Sequence, residues 1–579
     1  YSSDNGNTWD ELKQGGSVTK AISFPAAEAG KNAETKVQIQ ILDDATYTAN
    51  VKAGKSGFAE GTPTEYIVWV EQIQANAEAA QMLTAEATID GGKTGDWYPG
   101  FAPNRYSYSI VVPNGVSKGT LKYTVAEGAT VKVGNAEQTP VDENGTKVYS
   151  LDLTTTQKTI TVTDAAGTIS NDYKFKLQAK SKYDVPDKVV DYLCIGSQYS
   201  NGGYGTSPEG TLSGSLKSLG NIGGYITYYY DDPLTDNPNN LYGIDFYVYG
   251  NSFADGGSAA EPGQVYVSEN GTDWYALAGS EHYEDKTIWD YTITYTKGDD
   301  GKAYWTDNQG NVMKNNGTSW PTDANYYMNG TAGESSYTYT GIVMKSSEDD
   351  TIMGTGNTSS FSATTRFGYA DYYKNGTLGA DVNPYVENPT ASNGFDLAWA
   401  VDSKGNPVDV SNKKFHYVKV ATASNIWAGA FNEKSTEVTS VVRTAAQAQA
   451  VGTTAAPESI TLAEGDDSRT VALKEGQQIY TIGAGDRKKV TLTVNGTAED
   501  DNIYINNQRV KSGEASSEFM VPQTGEKLVR VIVQNGEKNP QIYLLKIVAG
   551  MTDEEKIQEV KDLIDSIGDV TLDKEAAIK

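Results

Sequence analysis

The sequence predicts an all-β protein made of several β-sandwich domains and closed by a short C-terminal α-helical segment. Three observations carry that expectation. The composition is that of strands and turns: 38 Tyr and 59 Gly stand in 579 residues, with much Thr, Ser, Asn and Asp. Tyr and Thr favour strands, while Gly, Asn and Asp favour tight turns. Apolar and polar residues alternate over short runs such as Tyr173-Lys-Phe-Lys-Leu-Gln178, the period of a half-buried strand. Finally, Glu261-Pro-Gly-Gln-Val-Tyr-Val-Ser-Glu-Asn-Gly-Thr-Asp-Trp274 reads as a hairpin. Pro262-Gly263 turns the chain, Val265 and Val267 alternate with Gln264 and Tyr266, and Asn270-Gly271 offers the positive φ angles of a tight turn before Trp274 returns to the sheet.

Length and charge bound the rest. A chain of 579 residues is too long for one core, and roughly three to five domains are expected. The net charge of −28 excludes a nucleic-acid partner, which needs clustered Lys and Arg. One cysteine, Cys194, excludes a disulfide framework and is placed in a buried strand. No apolar run approaches the roughly 20 residues that span a membrane, and no signal peptide is present. The acidic, Cys-poor composition is common in bacterial surface proteins. Because the chain begins mid-phrase at Tyr1-Ser-Ser-Asp-Asn-Gly, it reads as part of a longer wall- or membrane-anchored protein displayed outside the cell.

Taken in order, residues 1–80 form a truncated sandwich. Its opening Ser3-Asp-Asn-Gly-Asn-Thr-Trp9 echoes Ser268–Trp274, and it ends in Glu65-Tyr-Ile-Val-Trp-Val70. Residues 81–183 carry the strand Tyr106-Ser-Tyr-Ser-Ile-Val-Val-Pro113, then Thr130–Val133, Thr159–Thr163 and the closing Tyr173–Gln178. The same order returns over 458–550, in Val490–Val494, Ile503–Ile505, Val529–Val533 and Ile542–Ile547. Both units resemble the cadherin-like (Ig-like) β-sandwich repeats of Gram-positive surface proteins, which implies a spacer role. Residues 444–457 are small, polar and uncharged, a linker composition. From 551 the period becomes helical, with Ile557, Val560, Leu563, Ile564 and Ile567 on one stripe. Thr552 and Glu555 form a capping box, and Gly568 stops the helix. One amphipathic helix cannot bury its stripe alone, so it begins a further helical module.

The central segment, 184–443, holds most of the Tyr and Trp. It runs through Gly223-Gly-Tyr-Ile226, Gly243-Ile-Asp-Phe-Tyr-Val-Tyr-Gly-Asn-Ser-Phe253, the hairpin phrase, Ala278-Gly-Ser-Glu-His-Tyr283, Phe367-Gly-Tyr-Ala-Asp371, Gly394-Phe-Asp-Leu-Ala-Trp-Ala-Val-Asp402 and Phe415-His-Tyr-Val-Lys-Val420. This series resembles a family of cell surface proteins of gut bacteria of the Bacteroides type, members of which often accompany corrinoid uptake systems. The resemblance implies ligand capture and carries no assigned binding residues. The residues themselves read as a larger jelly-roll-like sandwich, in which Phe246, Val248 and Gly250 alternate with Tyr247 and Tyr249. The Ser-x-Asn-Gly-x-x-Trp hairpin also resembles discoidin-like sugar-binding domains. Long loops such as 231–240 and 298–325 are where sandwiches tend to carry function.

The catalytic inventory is thin. His282 and His416 are the only histidines, and adjacent Ser280-Glu281-His282 point to opposite faces of a strand, which is no argument for a triad. A non-enzymatic protein is expected, with glycoside hydrolysis by some carboxylate pair the remaining enzymatic alternative. Two His and one Cys disfavour zinc or blue copper. Asp231, Asp232, Asp299, Asp300 and Asp307, the last in Asp307-Asn-Gln-Gly-Asn311, offer the hard oxygens a structural calcium takes, or else ordinary Asx turns. No other cofactor is expected. Trp305, Trp320, Tyr326, Tyr327, Tyr369, Tyr372 and Tyr373 are the candidate ligand contacts, rings that would stack on a sugar or a flat corrin. Trp274, Trp289, Trp399 and Trp427 are assigned to the core. The expected partner is therefore a corrinoid or carbohydrate. The alternative is an adhesin whose flanking sandwiches bind a host glycoprotein such as mucin, or an immunoglobulin, by edge-strand pairing.

Overall fold

Period-two alternation dominates the fold: among the described residues nearly every element is a strand, and most pairings are antiparallel, Ile479–Gly483 with Gln541–Val548 being a parallel one. A computed structural model describes residues 33–41, 64–72, 79–89, 93–94, 96–98, 101–195, 207–256, 260–285, 287–297, 303–312, 336–344, 367–380, 382–424, 435–444, 450–551, 555–557, 560–561 and 564. The chain divides into two units, 1–112 with 116–177, and 178–579 with 113–115.

In the first unit, Ala33–Ile41 pairs with Thr64–Gln72. A sandwich follows, with a five-stranded sheet centred on Lys118–Val125 and a six-stranded sheet centred on Ser170–Ala179 and Lys158–Thr163. Leu121, Val131, Ile160, Val162, Tyr173 and Phe175 are fully buried. Tyr173 also donates its hydroxyl to Pro103 O at 2.5 Å and accepts from Met82 N at 3.1 Å, which satisfies a polar tip that burial would otherwise penalise.

The second unit contains the jelly-roll-like central sandwich and a further sandwich. The large central sheet has six strands in the spatial order Lys188–Leu193, Tyr225–Leu234, Phe415–Thr422, Gly263–Ser268, Tyr275–Leu277, Ala400–Val401. One face is apolar and buried through Ile226, Tyr228, Val265, Val267, Val418 and Val420. A three-stranded sheet formed by Gly394–Phe395, Phe246–Tyr249 and Ser440–Arg443 is buried on both faces. That explains why Phe246, Tyr247, Val248 and Tyr249 are all apolar or aromatic. Cys194 is buried directly after its strand.

Residues 459–548 form the C-terminal sandwich around Ile460, Leu492, Val494, Val529, Val531 and Leu545. Its strand Glu526–Gln534 is buried on both faces. Val529, Val531 and Val533 enter this sandwich's own core, whereas Arg530 meets the central domain. Arg530 is 3% exposed, donates to the carbonyls of Ala278 and Gly279, the latter at 2.6 Å, and lies over the Tyr283 and Phe367 rings at 5.3 and 5.4 Å. Around it, Tyr504 donates to Tyr385 O, Asn506 to Tyr283 O and Asn507 to Glu281. Leu544 packs with Ala276, Ala278 and Tyr283.

Residues 555–557, 560–561 and 564 are helical. Ile557, Val560 and Ile564 of the apolar stripe are more than half exposed. Glu555 accepts from Gly483 N at 2.9 Å and pairs with Arg469 at 3.2 Å, while Thr552, its expected capping partner, lies outside the described residues. No helix among those residues is long and apolar enough to cross a membrane.

Candidate functional site

Strand alternation builds the site. On the other face of the six-stranded sheet, Tyr225, Thr227 and Tyr229 lie beside Ala421, Lys419 and Tyr417, which lie beside Gln264, Tyr266 and Ser268, with Thr227, Ala421, Gln264 and Ser268 buried among the larger side chains. Tyr225, Tyr229, Tyr266, Trp274, Tyr417 and Lys419 are all partly exposed. The Lys419 ammonium sits 3.8 Å from the Trp274 ring centre, with Tyr225 at 5.7 Å and Tyr266 at 5.9 Å, a cation held over π faces. Burial among these rings pushes its pKa down to about 8, against the opposing pull of Asp191. Tyr229 stacks on His416, meets Tyr417 edge-on and lies under Lys188. Trp274 meets Tyr417 edge-on at 6.4 Å.

The hairpin that brings Trp274 here departs from the expected tight turn. Six residues, 269–274, separate its strands, and of the Asn-Gly pair only Gly271 has positive φ, at +79°. Asn270 instead uses its side-chain oxygen to cap Thr272 N and Asp273 N, both at 2.9 Å. A Cβ on Gly271 would stand 3.2 Å from the Tyr417 ring, so glycine is required both for the angle and for the approach. Trp274, assigned to the core from its hairpin setting, is thus a partly exposed member of an aromatic face. The echo at Ser3–Trp9 lies outside the described residues.

The aromatic residues singled out from sequence are placed elsewhere. Trp305 is 3% exposed and packs with Leu193, Tyr291, Tyr295 and Val343. Tyr369, Tyr372 and Tyr373 are 1–4% exposed and pack with Ala260 and Met344. These four rings are core, because the flanking segments pair into sheets or fold back on them, and none offers a face to a ligand. Trp320, Tyr326 and Tyr327, like Trp427, lie outside the described residues. Trp399 is buried as expected, and Trp289 partly so.

Nor does Ser280-Glu281-His282 assemble a relay. His282 is fully buried, its Nδ1 is 2.8 Å from the Tyr369 hydroxyl, and Glu281 accepts from Asn507. Burial and the Arg530 charge hold the imidazole pKa down at about 3, so it stays neutral.

Among the described residues the expected calcium ligands do not converge either. Asp232 pairs with Arg443 at 2.7 Å, and the exposed Asp231 only places its backbone N–H on Asp187. Asp307 accepts from Gln309 N, Asn311 N, Asn311 Nδ2 and the Tyr291 hydroxyl, the Asx turn that the sequence offered as the alternative. Asp299 and Asp300 lie outside the described residues. The acidic groups that do converge among the described residues are Glu261–Asp371–Glu437 and Asp236–Asp245–Asp396. In the first, Asp371 has φ +54° and accepts from Asn251 N and Ser252 N through one oxygen and from Glu437 N through the other. Burial raises its pKa to about 6, although these donors and a side-chain hydrogen bond with Glu437 oppose the rise. That is a pair of buried carboxyl groups hydrogen-bonded to each other, with both Asp371 oxygens already engaged by backbone donors.

No family model matches the chain, and no curated protein matches it in sequence. Among solved structures, it is similar to a Bacteroides thetaiotaomicron protein provisionally described as a glycoside hydrolase, at 15% identity over 64% of this chain and 98% of that one, with a TM-score of 0.18. The protocadherin GammaB4 extracellular domain matches at 8% identity over 90% of this chain and 72% of that one, with a TM-score of 0.10. At these scores neither likeness bears on function.

Proposed function

We propose that the protein is a non-enzymatic binding protein of the bacterial cell surface, whose central domain captures a glycan on the Trp274–Lys419 face while the flanking β-sandwiches act as spacers. The observation that supports this reading is the set of partly exposed rings, Trp274, Tyr417, Tyr225, Tyr229 and Tyr266, grouped on one sheet face around one ammonium. The C–H face of a pyranose stacks on such rings, and its hydroxyls accept from an ammonium or a phenol.

A glycan array probed with the full chain, followed by calorimetry on the best binder, tests the proposal. Trp274→Ala is expected to weaken binding up to about tenfold, since one stacked ring contributes roughly 0.5–1.5 kcal/mol beyond the area it buries. The lysine adds a pH signature. Its cation is present below, and lost above, about 8, so affinity is expected to fall between pH 7 and 9.5. No glycan bound by the wild type, or equal binding by Trp274→Ala, overturns the assignment. Cobalamin titration followed by visible absorbance is the arm that would favour a corrinoid instead.

A further inference from the structure

The Trp274–Lys419 face is rich in unused hydrogen-bond donors. The Lys419 ammonium lies over three rings, Trp274 at 3.8 Å, Tyr225 at 5.7 Å and Tyr266 at 5.9 Å, yet makes no hydrogen bond or ion pair among the described residues. Lys188 repeats the arrangement: its ammonium sits 4.9 Å from the Tyr229 ring centre and pairs with no carboxylate among those residues. The Trp274 indole N–H and the Tyr229 and Tyr417 hydroxyls have no hydrogen-bond partner there either. All five side chains are partly exposed, and none of these polar atoms is sealed from solvent.

Strand register joins the groups into one surface. Thr227 lies opposite Lys419, and Tyr229 lies between Lys188 and Tyr417. The two lysines are therefore two strands across and one two-residue step along, about 12 Å apart at the backbone. The acids beside them are already engaged. Asp191, which pulls on Lys419, accepts the Tyr225 hydroxyl at 2.8 Å. In the hairpin, Glu269 holds Lys413 at 2.8 Å, and Asp273 accepts from Asn270 Nδ2 at 2.8 Å.

Donors in excess of acceptors, two of them cationic, suit an anion. A sugar hydroxyl both donates and accepts, so a face built for a neutral sugar offers a mixture. A partly desolvated ammonium without a counter-charge gains more from a carboxylate or sulfate, which takes a charge-assisted bond. Overall charge cannot supply that attraction, because a chain carrying −28 repels an acidic ligand at long range. Recognition of an anion has to be local. We propose, on the glycan reading of this face, that the sugar it takes is acidic, with its carboxylate or sulfate on Lys419, its ring on Trp274 and Lys188 as a second cationic position. The rival use of Lys419, a cation that merely holds the rings together, predicts no preference among ligands.

Matched ligands titrated into the full chain by calorimetry test this: lactose against sialyllactose and against sulfated lactose, and galactan oligomers against galacturonan oligomers. The acidic member of at least one pair is expected to bind roughly tenfold tighter or more than its neutral partner, and the pair that responds tells carboxylate from sulfate. Lys419→Met keeps the aliphatic packing and should abolish most of that preference, whereas Lys419→Arg keeps the charge and should retain it. Lys188→Gln, on the edge strand Lys188–Leu193, should lower the preference by a smaller factor, and melting curves show that each variant is folded. Equal binding of acidic and neutral partners overturns the proposal while leaving the glycan reading intact. A preference that survives Lys419→Met overturns it too. If no glycan binds, on these pairs or on an array, both fall.

Discussion

Arg530→Ala is expected to cost about 2–4 kcal/mol of stability, because two buried carbonyls lose their donors and the vacated volume cannot fully collapse. The side chain leaves one sandwich to donate to Ala278 O and Gly279 O of another, with the Tyr283 and Phe367 rings against its guanidinium. Burial presses its pKa downward, opposed by Tyr283, Tyr369 and Tyr385, and no carboxylate pairs with it among the described residues. Its charge is therefore balanced by carbonyl dipoles and π faces alone. Urea denaturation measures the loss, and a change below about 0.5 kcal/mol would remove Arg530 as a determinant of docking. Arg530→Met separates two contributions. It keeps much of the packing and relieves the buried charge, so it should be milder than alanine. If methionine equals arginine in stability, the guanidinium serves to fix the relative register of the two sandwiches rather than to stabilise them.

Arg530 also marks where the sequence stops being legible. The run Val529-Arg-Val-Ile-Val533 reads as a strand, and the strand is there. What alternation cannot say is that the second face is covered, because the cover comes from residues some 250 positions earlier. The same limit explains the aromatic residues. Trp305 and Tyr369–Tyr373 stand in loop-like, Gly- and Asn-rich contexts that suggested exposure, yet their neighbours fold over them. Tyr225, Tyr229, Tyr266, Tyr417 and Lys419 stand in regular strands, where nothing local marks a ligand face. Alternation does put Tyr225, Thr227 and Tyr229 on one face and Tyr417 and Lys419 on another. Only the register joins the two into one surface. Asp236, Asp245 and Asp396 span 160 positions, and no spacing rule unites them. Fold class, by contrast, follows from local signals of turn and period, each of which is complete within about ten residues.

The Asp371–Glu437 pair predicts a stability that falls as pH rises. Asp371 titrates near 6 in the fold against an ordinary 3.8, so the native state holds its proton more tightly than the unfolded chain does. A raised carboxyl contributes stability that is fully present below the unfolded value and lost as pH climbs through the folded one. The window is therefore about pH 4 to 6, and a shift of this size corresponds to about 3 kcal/mol. Asp245 and Asp396, also shifted upward, add a term of the same sign. Urea midpoints are expected to be lower at pH 7.5 than at pH 5. Asp371→Asn isolates the pair: asparagine tolerates the left-handed backbone angle at this position and can donate to Glu437. The variant should lose stability at pH 5, where the proton is shared, and show a flatter profile up to pH 7.5. A wild-type profile that rises over this range would mean that the pair is ionised and neutralised by something other than a proton.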